Sequence, residues 1–157
     1  MADALLDELD VARASFHAAL ADVDAALVTI PGVVGDWSVR DLVVHVAAWC
    51  EHAVAAIDLA SAGRGAEFGY SRDETDAMNE RILAEGRALS PSAVLAREEA
   101  AFTAFRERVA GADAELCAQR LGNGDTVEAV IRFDGPEHYA EHTAHLRAWF
   151  GDDEDER

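Results

Sequence analysis

The sequence predicts an all-α protein, and specifically an antiparallel four-helix bundle with extra short helices. Hydrophobic residues make up 50% of the 157 residues, whereas 11 Gly and 3 Pro leave long stretches free of helix breakers. Apolar residues recur at steps of three and four, the spacing of one helix face. Long helical segments joined by short connections pack most simply as an antiparallel bundle, and a chain of this length suits one domain.

The first two helices are predicted over residues 3–28 and 39–62. The first has one apolar stripe and ends before a Pro-Gly pair. That stripe consists of Leu5, Leu9, Ala12, Phe16, Leu20, Val23 and Leu27. Ser38 is the predicted N-cap of the second helix, and Asp41 completes a capping box. Val and Ala occur nearly all round this helix, which predicts a central position in the bundle.

Four further helical segments are predicted, at 74–88, 91–110, 126–131 and 135–150. Asp73 is the expected cap of the third helix, and Ser90-Pro91 opens the fourth because Pro is favoured in a first helical turn. The fourth helix should bury Leu95, Phe102, Phe105 and Val109. Residues 111–125 are predicted to be irregular, and the acidic tail 152–157 after the domain 1–151 is predicted to be disordered.

The charge of the chain excludes several classes of function. A formal net charge of −18 repels polyphosphate backbones and anionic lipid, so we expect no nucleic-acid or membrane partner. All the basic residues are Arg, which excludes a Schiff-base lysine and a Walker A loop. The acidic start MADALLDELD is unlike a targeting peptide, so we expect a cytoplasmic protein. Cys50 and Cys117 lack a CxxC spacing and should be reduced and buried.

Three of the six histidines fall within the segment HYAEHTAH of the last helix. His138 and His142 are four residues apart, so they project from one face and can share a metal ion. His45 lies among Val and Ala on the second helix and should face inward, where an imidazole needs a hydrogen bond or a metal. Three neutral imidazoles suit Zn, Ni or Fe(II) and leave coordination positions open.

The same histidines have other interpretations. His45 could be a hydrogen-bonded core residue, and an HxxxH pair on a surface helix is often solvated. His145 could replace one ligand of the pair or lie outside the ligand set. His52, two turns after His45, could line a pocket or its rim. His17 lies off the apolar stripe and is predicted to be solvated.

Residues 31–51, PGVVGDWSVRDLVVHVAAWCE, and residues 137–149, EHYAEHTAHLRAW, resemble the DinB/YfiT-like superfamily of metal-binding four-helix bundles. The motifs that carry the resemblance are Trp-Ser-x-x-Asp-x-x-x-His and His-x-x-x-His. The sequence looks most similar to the ClbS/DfsB group, with the N-terminal domain of mycothiol-dependent maleylpyruvate isomerase as a cousin. The resemblance implies a facial metal triad of His45, His138 and His142.

For activity, the resemblance implies a metal-dependent reaction of a small-molecule substrate. Superfamily members include transferases that use bacillithiol, mycothiol or glutathione, and the ClbS group includes a hydrolase that detoxifies a cyclopropane. The isomerase branch has Glu at the position of His138, so maleylpyruvate chemistry is not expected. The leading hypothesis is therefore a thiol S-transferase or hydrolase with a divalent ion, Zn or Ni first, and a low-molecular-weight thiol.

Two other classes of function stay open from the sequence. One is a metal-binding module without catalysis, and the other is a structural or dimerising bundle with hydrogen-bonded histidines. Relatives also suggest a homodimer. Asp41, Glu51 and Glu80 are the candidate general bases of an enzyme, and the sequence alone does not place them relative to the triad.

Overall fold

The computed structural model describes residues 2–150 and is all-α, which confirms the predicted fold class. Its helices are α1 (Ala2–Ala21), α2 (Val39–Ser61), α3 (Arg72–Arg87), α4 (Pro91–Gly111), α5 (Ala114–Ala118), α6 (Val127–Arg132) and α7 (His138–Phe150). Short 3-10 turns occur at Ala25–Leu27 and Gly65–Glu67, and a π turn occurs at Phe133–Glu137. The tail predicted at 152–157 lies outside the described residues.

The bundle is built around α2, which packs against α4, α3 and α7, while α1 packs against α7 and α4. The predicted capping box is present, because Ser38 Oγ accepts from the Asp41 amide at 3.2 Å and the Asp41 carboxylate accepts from the Ser38 amide at 3.0 Å. By length and composition α2 could cross a membrane. However, 61% of its most apolar window is buried in the bundle, as expected for a core helix.

The predicted boundaries of α1 and α3 differ from the observed ones. α1 ends at Ala21 and not at residue 28, because the Asp24 side chain accepts from the Ala26 amide and starts a separate 3-10 turn. Leu27 is accordingly 40% exposed. α3 begins at Arg72 because Ser71, and not Asp73, caps it in a capping box with Glu74.

The segment predicted to be irregular at 111–125 contains α5, which Asp113 caps by accepting from the Leu116 amide at 2.8 Å. The predicted buried stripe of α4 also contains an error, since Leu95 is 44% exposed. The buried face of α4 contains Glu98 instead, with an exposed fraction of 0%. A charged side chain thus occupies a core position of the bundle.

The last helix begins later than predicted, at His138 and not at residue 135. The π turn Phe133–Glu137 joins α6 to α7 and contains Gly135, with φ −102° and ψ −105°, followed by Pro136. Pro136 has no N–H to donate and disfavours helical backbone in the residue before it. A Cβ at Gly135 would lie 3.0 Å from Phe105 and 3.1 Å from Leu9, so the turn packs tightly against α4 and α1.

Candidate metal centre

The three histidines of the predicted triad come from two helices that contact each other. His45 lies in the buried middle of α2, and His138 and His142 lie one turn apart at the start of α7. His45 and His142 are 7% and 5% exposed, while His138 is partly buried. The α2–α7 contact therefore brings side chains that are 93 residues apart in the sequence into one cluster.

The ring nitrogens of the three residues converge. His138 Nε2 is 3.1 Å from His45 Nε2 and 2.9 Å from His142 Nε2. One ligand atom from each of the three residues lies within 4.8 Å of the other two. The three Nε2 atoms thus point toward a shared volume and not toward separate partners.

The three imidazoles are neutral at physiological pH. Burial lowers the pKa of His45 to about 3, and the neighbouring His142 adds to the effect. Burial likewise lowers the pKa of His138 to about 3, with a further contribution from His45. The pKa of His142 is lowered to about 3 by burial and then by its histidine neighbours. Neutral imidazoles keep the lone pair that a metal ion requires.

The donor set and the spacing fit a divalent ion. Two nitrogens at right angles around an ion, each about 2.1 Å from it, are about 3.0 Å apart, close to the observed contacts. Facing Nε2 lone pairs repel one another unless a proton or a cation lies between them. The buried Nδ1 atoms of His45 and His138 have no hydrogen-bond partner within residues 2–150, so no protein donor to Nδ1 forces the proton onto Nε2. Three imidazoles suit Zn or Ni.

Two tryptophans enclose the cluster. The Trp37 ring centroid is 4.6 Å from that of His45. The Trp49 ring lies edge-on to His45 at 6.2 Å and to His138 at 6.4 Å, and its Nε1 donates to Asn79 Oδ1 at 3.1 Å. These rings thus form part of the apolar surroundings of the cluster.

The remaining histidines lie outside the cluster. His145 Nδ1 is 3.1 Å from His142 Nδ1, on the far side of that ring from Nε2, and His145 is not part of the group of three close histidines. His52 packs against Trp49 with centroids 4.9 Å apart. The His17 side chain is 36% exposed, as predicted for a residue off the apolar stripe, but its Nε2 also lies 3.0 Å from Glu98 Oε2.

None of the candidate general bases contacts the triad in the part of the chain that the structure describes. Asp41 caps α2 and lies 3.5 Å from Arg87 Nε. Glu51 is 45% exposed and pairs with Arg97, and Glu80 is exposed on α3.

A buried polar network around Glu98 was not predicted from the sequence. Arg13 donates from Nε and Nη2 to the two carboxylate oxygens, at 3.0 Å each. Tyr139 donates to Oε1 at 2.6 Å, and His17 contacts Oε2 at 3.0 Å. The sequence did contain a signal, since Glu98 is four residues from both Val94 and Phe102 and so belongs to the stripe of α4.

The fold and the histidine cluster together define an all-α bundle domain in which three close histidines could hold a metal ion. The family model described as "Mycothiol maleylpyruvate isomerase N-terminal domain" matches residues 9–148, and the chain belongs to this family. The resemblance to DinB/YfiT-like proteins is thereby confirmed, whereas the ClbS/DfsB branch stays a prediction.

One solved structure is similar over nearly the whole chain. It is an uncharacterised protein from Escherichia coli UTI89, with a TM-score of 0.82 and 18% sequence identity, and the match covers 98% of this chain and 94% of that one. This similarity supports the fold alone. No curated protein is significantly similar to the sequence.

Proposed function

We propose that the protein is a metal-dependent thiol transferase or hydrolase that acts on small electrophiles. His45, His138 and His142 would hold one divalent ion, Zn or Ni. The observation that carries this proposal is the approach of buried, neutral Nε2 atoms to 2.9 and 3.1 Å of one another. Facing lone pairs at these distances need a proton or a cation between them, and a divalent ion can pair with all three imidazoles at once.

The chain's own residues prepare the site for this chemistry. α2 and α7 hold the imidazoles on opposite sides of one point, and burial keeps them unprotonated. Trp37 and Trp49 place apolar ring surface beside the cluster, and a less polar environment strengthens electrostatic interactions within it. When bound, a divalent ion would lower the pKa of a coordinated thiol or water, which supplies a nucleophile at neutral pH.

The protein's cysteines are unsuited to act as the nucleophile. Burial raises the pKa of Cys50 to about 12, and its Sγ lies 3.5 Å from the hydroxyl of Tyr139 inside the core. Burial and nearby carboxylates also raise the pKa of Cys117. A thiol reaction at this site would therefore use a low-molecular-weight thiol, and the family's name refers to one, mycothiol.

The metal proposal is tested by metal content. Protein purified without a histidine tag is titrated with Zn²⁺ or Ni²⁺, and bound metal is measured by elemental analysis. We expect about one ion per wild-type chain and a large loss of affinity for His45→Gln, His138→Gln and His142→Gln. His52→Gln is the matched control, because it makes the same substitution on α2 outside the triad. Equal metal retention in the control and the triad variants would refute the assignment.

Catalysis is tested separately by turnover. Metal-loaded protein is assayed with mycothiol, bacillithiol or glutathione against a panel of electrophiles, and for hydrolysis without a thiol. We expect turnover that needs the metal and disappears in the triad variants. Binding of metal without turnover would favour the non-catalytic metal-binding module, and absence of both would favour the structural bundle.

The proposal takes the protein as cytoplasmic, with a small-molecule substrate and without a nucleic-acid or membrane partner. The homodimer suggested by relatives stays a prediction. Light scattering of the purified protein would give the mass in solution and decide between monomer and dimer.

A further inference from the structure

A cavity of about 280 Å³ is lined in part by Trp49, the ring that also packs near His45 and His138, but by none of the three triad histidines. Its volume is just below the range of pockets that bind drug-sized ligands, so it would accept a small compound. Four aromatic side chains contribute to its wall, namely Trp49, Phe68, Tyr70 and Phe133. The lining thus contains several ring faces.

The polar lining of the cavity is acidic. Asp125 and Asp134 both contribute to it, and none of its described lining residues is Arg. Because the chain has no Lys, this wall supplies no fixed cation to pair with an anionic ligand.

Asp134 is the unusual member of the lining, because it is only 5% exposed and no cation or hydrogen-bond donor contributes to its pKa. An unpaired carboxylate is costly to bury. Burial, and then the nearby charge of Asp125, raise the pKa of Asp134 to about 8. His52, also in the lining, has a buried Nδ1 without a partner. The cavity therefore contains a buried carboxyl group without a countercharge and an unpaired imidazole nitrogen, both of which a ligand could pair.

The backbone at Asp134 is specialised as well. Asp134 is the second residue of the π turn, an element that is rare and frequent at functional sites. The tight packing of Gly135 against Phe105 and Leu9 leaves no room for a side chain on the opposite face of the turn. The turn thereby holds Asp134 in the wall of the cavity, although an uninterrupted helix would be the simpler link between α6 and α7.

We propose that this cavity binds a small organic ammonium compound, whose cation pairs with Asp134 and packs against the aromatic rings. A cation supplies the partner that the buried carboxyl group lacks, and ring faces attract ammonium groups. A bare metal ion would gain nothing from aromatic walls and prefers several oxygen ligands. The site is distinct from the metal centre, and its occupancy does not depend on a bound metal.

The probe is 2-phenylethylammonium, titrated into the whole protein by isothermal calorimetry. Its matched neutral analogue is 2-phenylethanol, which has the same shape without the charge. We expect the ammonium to bind wild type with a Kd below about 1 mM and the alcohol to bind at least about tenfold more weakly. Asp134→Asn should weaken ammonium binding by at least about tenfold, because an amide keeps the side-chain volume but cannot become the carboxylate that pairs with the cation.

Glu141→Gln is the control, since it removes one negative charge from the exposed face of α7, outside the cavity. It should bind the ammonium as wild type does. Tyr70→Leu is a second variant, and loss of its ring should weaken the ammonium more than the alcohol.

Four results would overturn the proposal. The first is no binding of the ammonium to wild type, and the second is equal affinity for the ammonium and the alcohol. The third is undiminished binding by the Asp134 variant in its folded state, as judged by circular dichroism. The fourth is binding of Ca²⁺ or Mg²⁺ to wild type in the absence of any binding of the ammonium.

Discussion

The buried Glu98 network offers the sharpest test of how this bundle is stabilised. The carboxylate receives two hydrogen bonds from Arg13 and one from Tyr139, and His17 contacts the same group. Glu98→Gln keeps the shape of the side chain but replaces one acceptor oxygen with an NH₂ donor. That donor would face N–H or O–H groups, and Arg13 would lose its charge partner. We therefore expect the variant to fold with a clearly lower free energy of unfolding.

The pKa of Glu98 gives the magnitude. Burial alone would raise this pKa, but the hydrogen bonds from His17, Arg13 and Tyr139 outweigh burial and lower it to about 2. The difference from the ordinary value of 4.5 corresponds to about 3 kcal/mol of stability. Removing one partner of a buried ion pair costs about 3–5 kcal/mol, which agrees with this figure.

Urea unfolding followed by circular dichroism measures the loss, and Glu51→Gln provides the control. Glu51 and Arg97 form a similar two-bond ion pair, at 2.9 Å for each bond, but Glu51 is 45% exposed. The Glu51–Arg97 pair thus has nearly the same hydrogen-bond geometry as the Glu98–Arg13 pair, but its carboxylate is exposed and not buried. We expect the control to lose less than about 1 kcal/mol.

The pH dependence follows from the same pKa. As the pH falls, the carboxyl group of the unfolded chain takes up a proton near 4.5, before the folded one does. The stability contributed by Glu98 is therefore complete above pH 4.5 and is lost between 4.5 and about 2. A Glu98→Gln variant that unfolds within about 1 kcal/mol of wild type at neutral pH would show that the network contributes no net stability.

Two further substitutions test burial and packing. Asp134→Asn should raise the melting temperature, and the difference from wild type should grow from about pH 5 to about pH 8. The reason is that a carboxyl group whose folded pKa is raised destabilises the fold as the pH rises from 3.8 to about 8. A difference in melting temperature that shrinks as the pH rises would contradict this. Gly86→Ala should destabilise the protein by about 1–3 kcal/mol, since its Cβ would meet Val44 Cγ1 within α2. The control Gly111→Ala has open space and should be neutral or stabilising, so equal effects of the two glycine variants on urea unfolding would contradict the packing argument.

The sequence predicted those features that depend on local spacing. The Ser38 capping box requires residues three apart, and the pairing of His138 with His142 requires residues one turn apart, so both could be predicted from the sequence. The position of His45 was harder to predict, because only its apolar neighbours on α2 indicate that the ring faces inward. The structure adds the distances between these residues, which spacing within one helix cannot give.

Features that depend on tertiary contacts were missed. Glu98 was overlooked because a single charge within an apolar stripe is usually a surface residue, and its partners are distant in the sequence. The π turn was missed because Pro136 gives the same signal as an ordinary helix start. The helix α5 spans Ala114–Ala118 and is too short to show a periodic pattern.

The first turn of α7 connects the fold to the site. Successive residues of a helix point about 100° apart, so His138 faces α2 while the next residue, Tyr139, faces α1 and α4. Tyr139 is fully buried against Phe16 and Phe102 and donates to Glu98, which fixes the rotation of α7 about its axis. That rotation determines where the Nε2 atoms of α7 point. Loss of the Glu98 hydrogen bond should therefore weaken metal binding at unchanged stoichiometry, whereas loss of a triad imidazole removes a donor from the site itself.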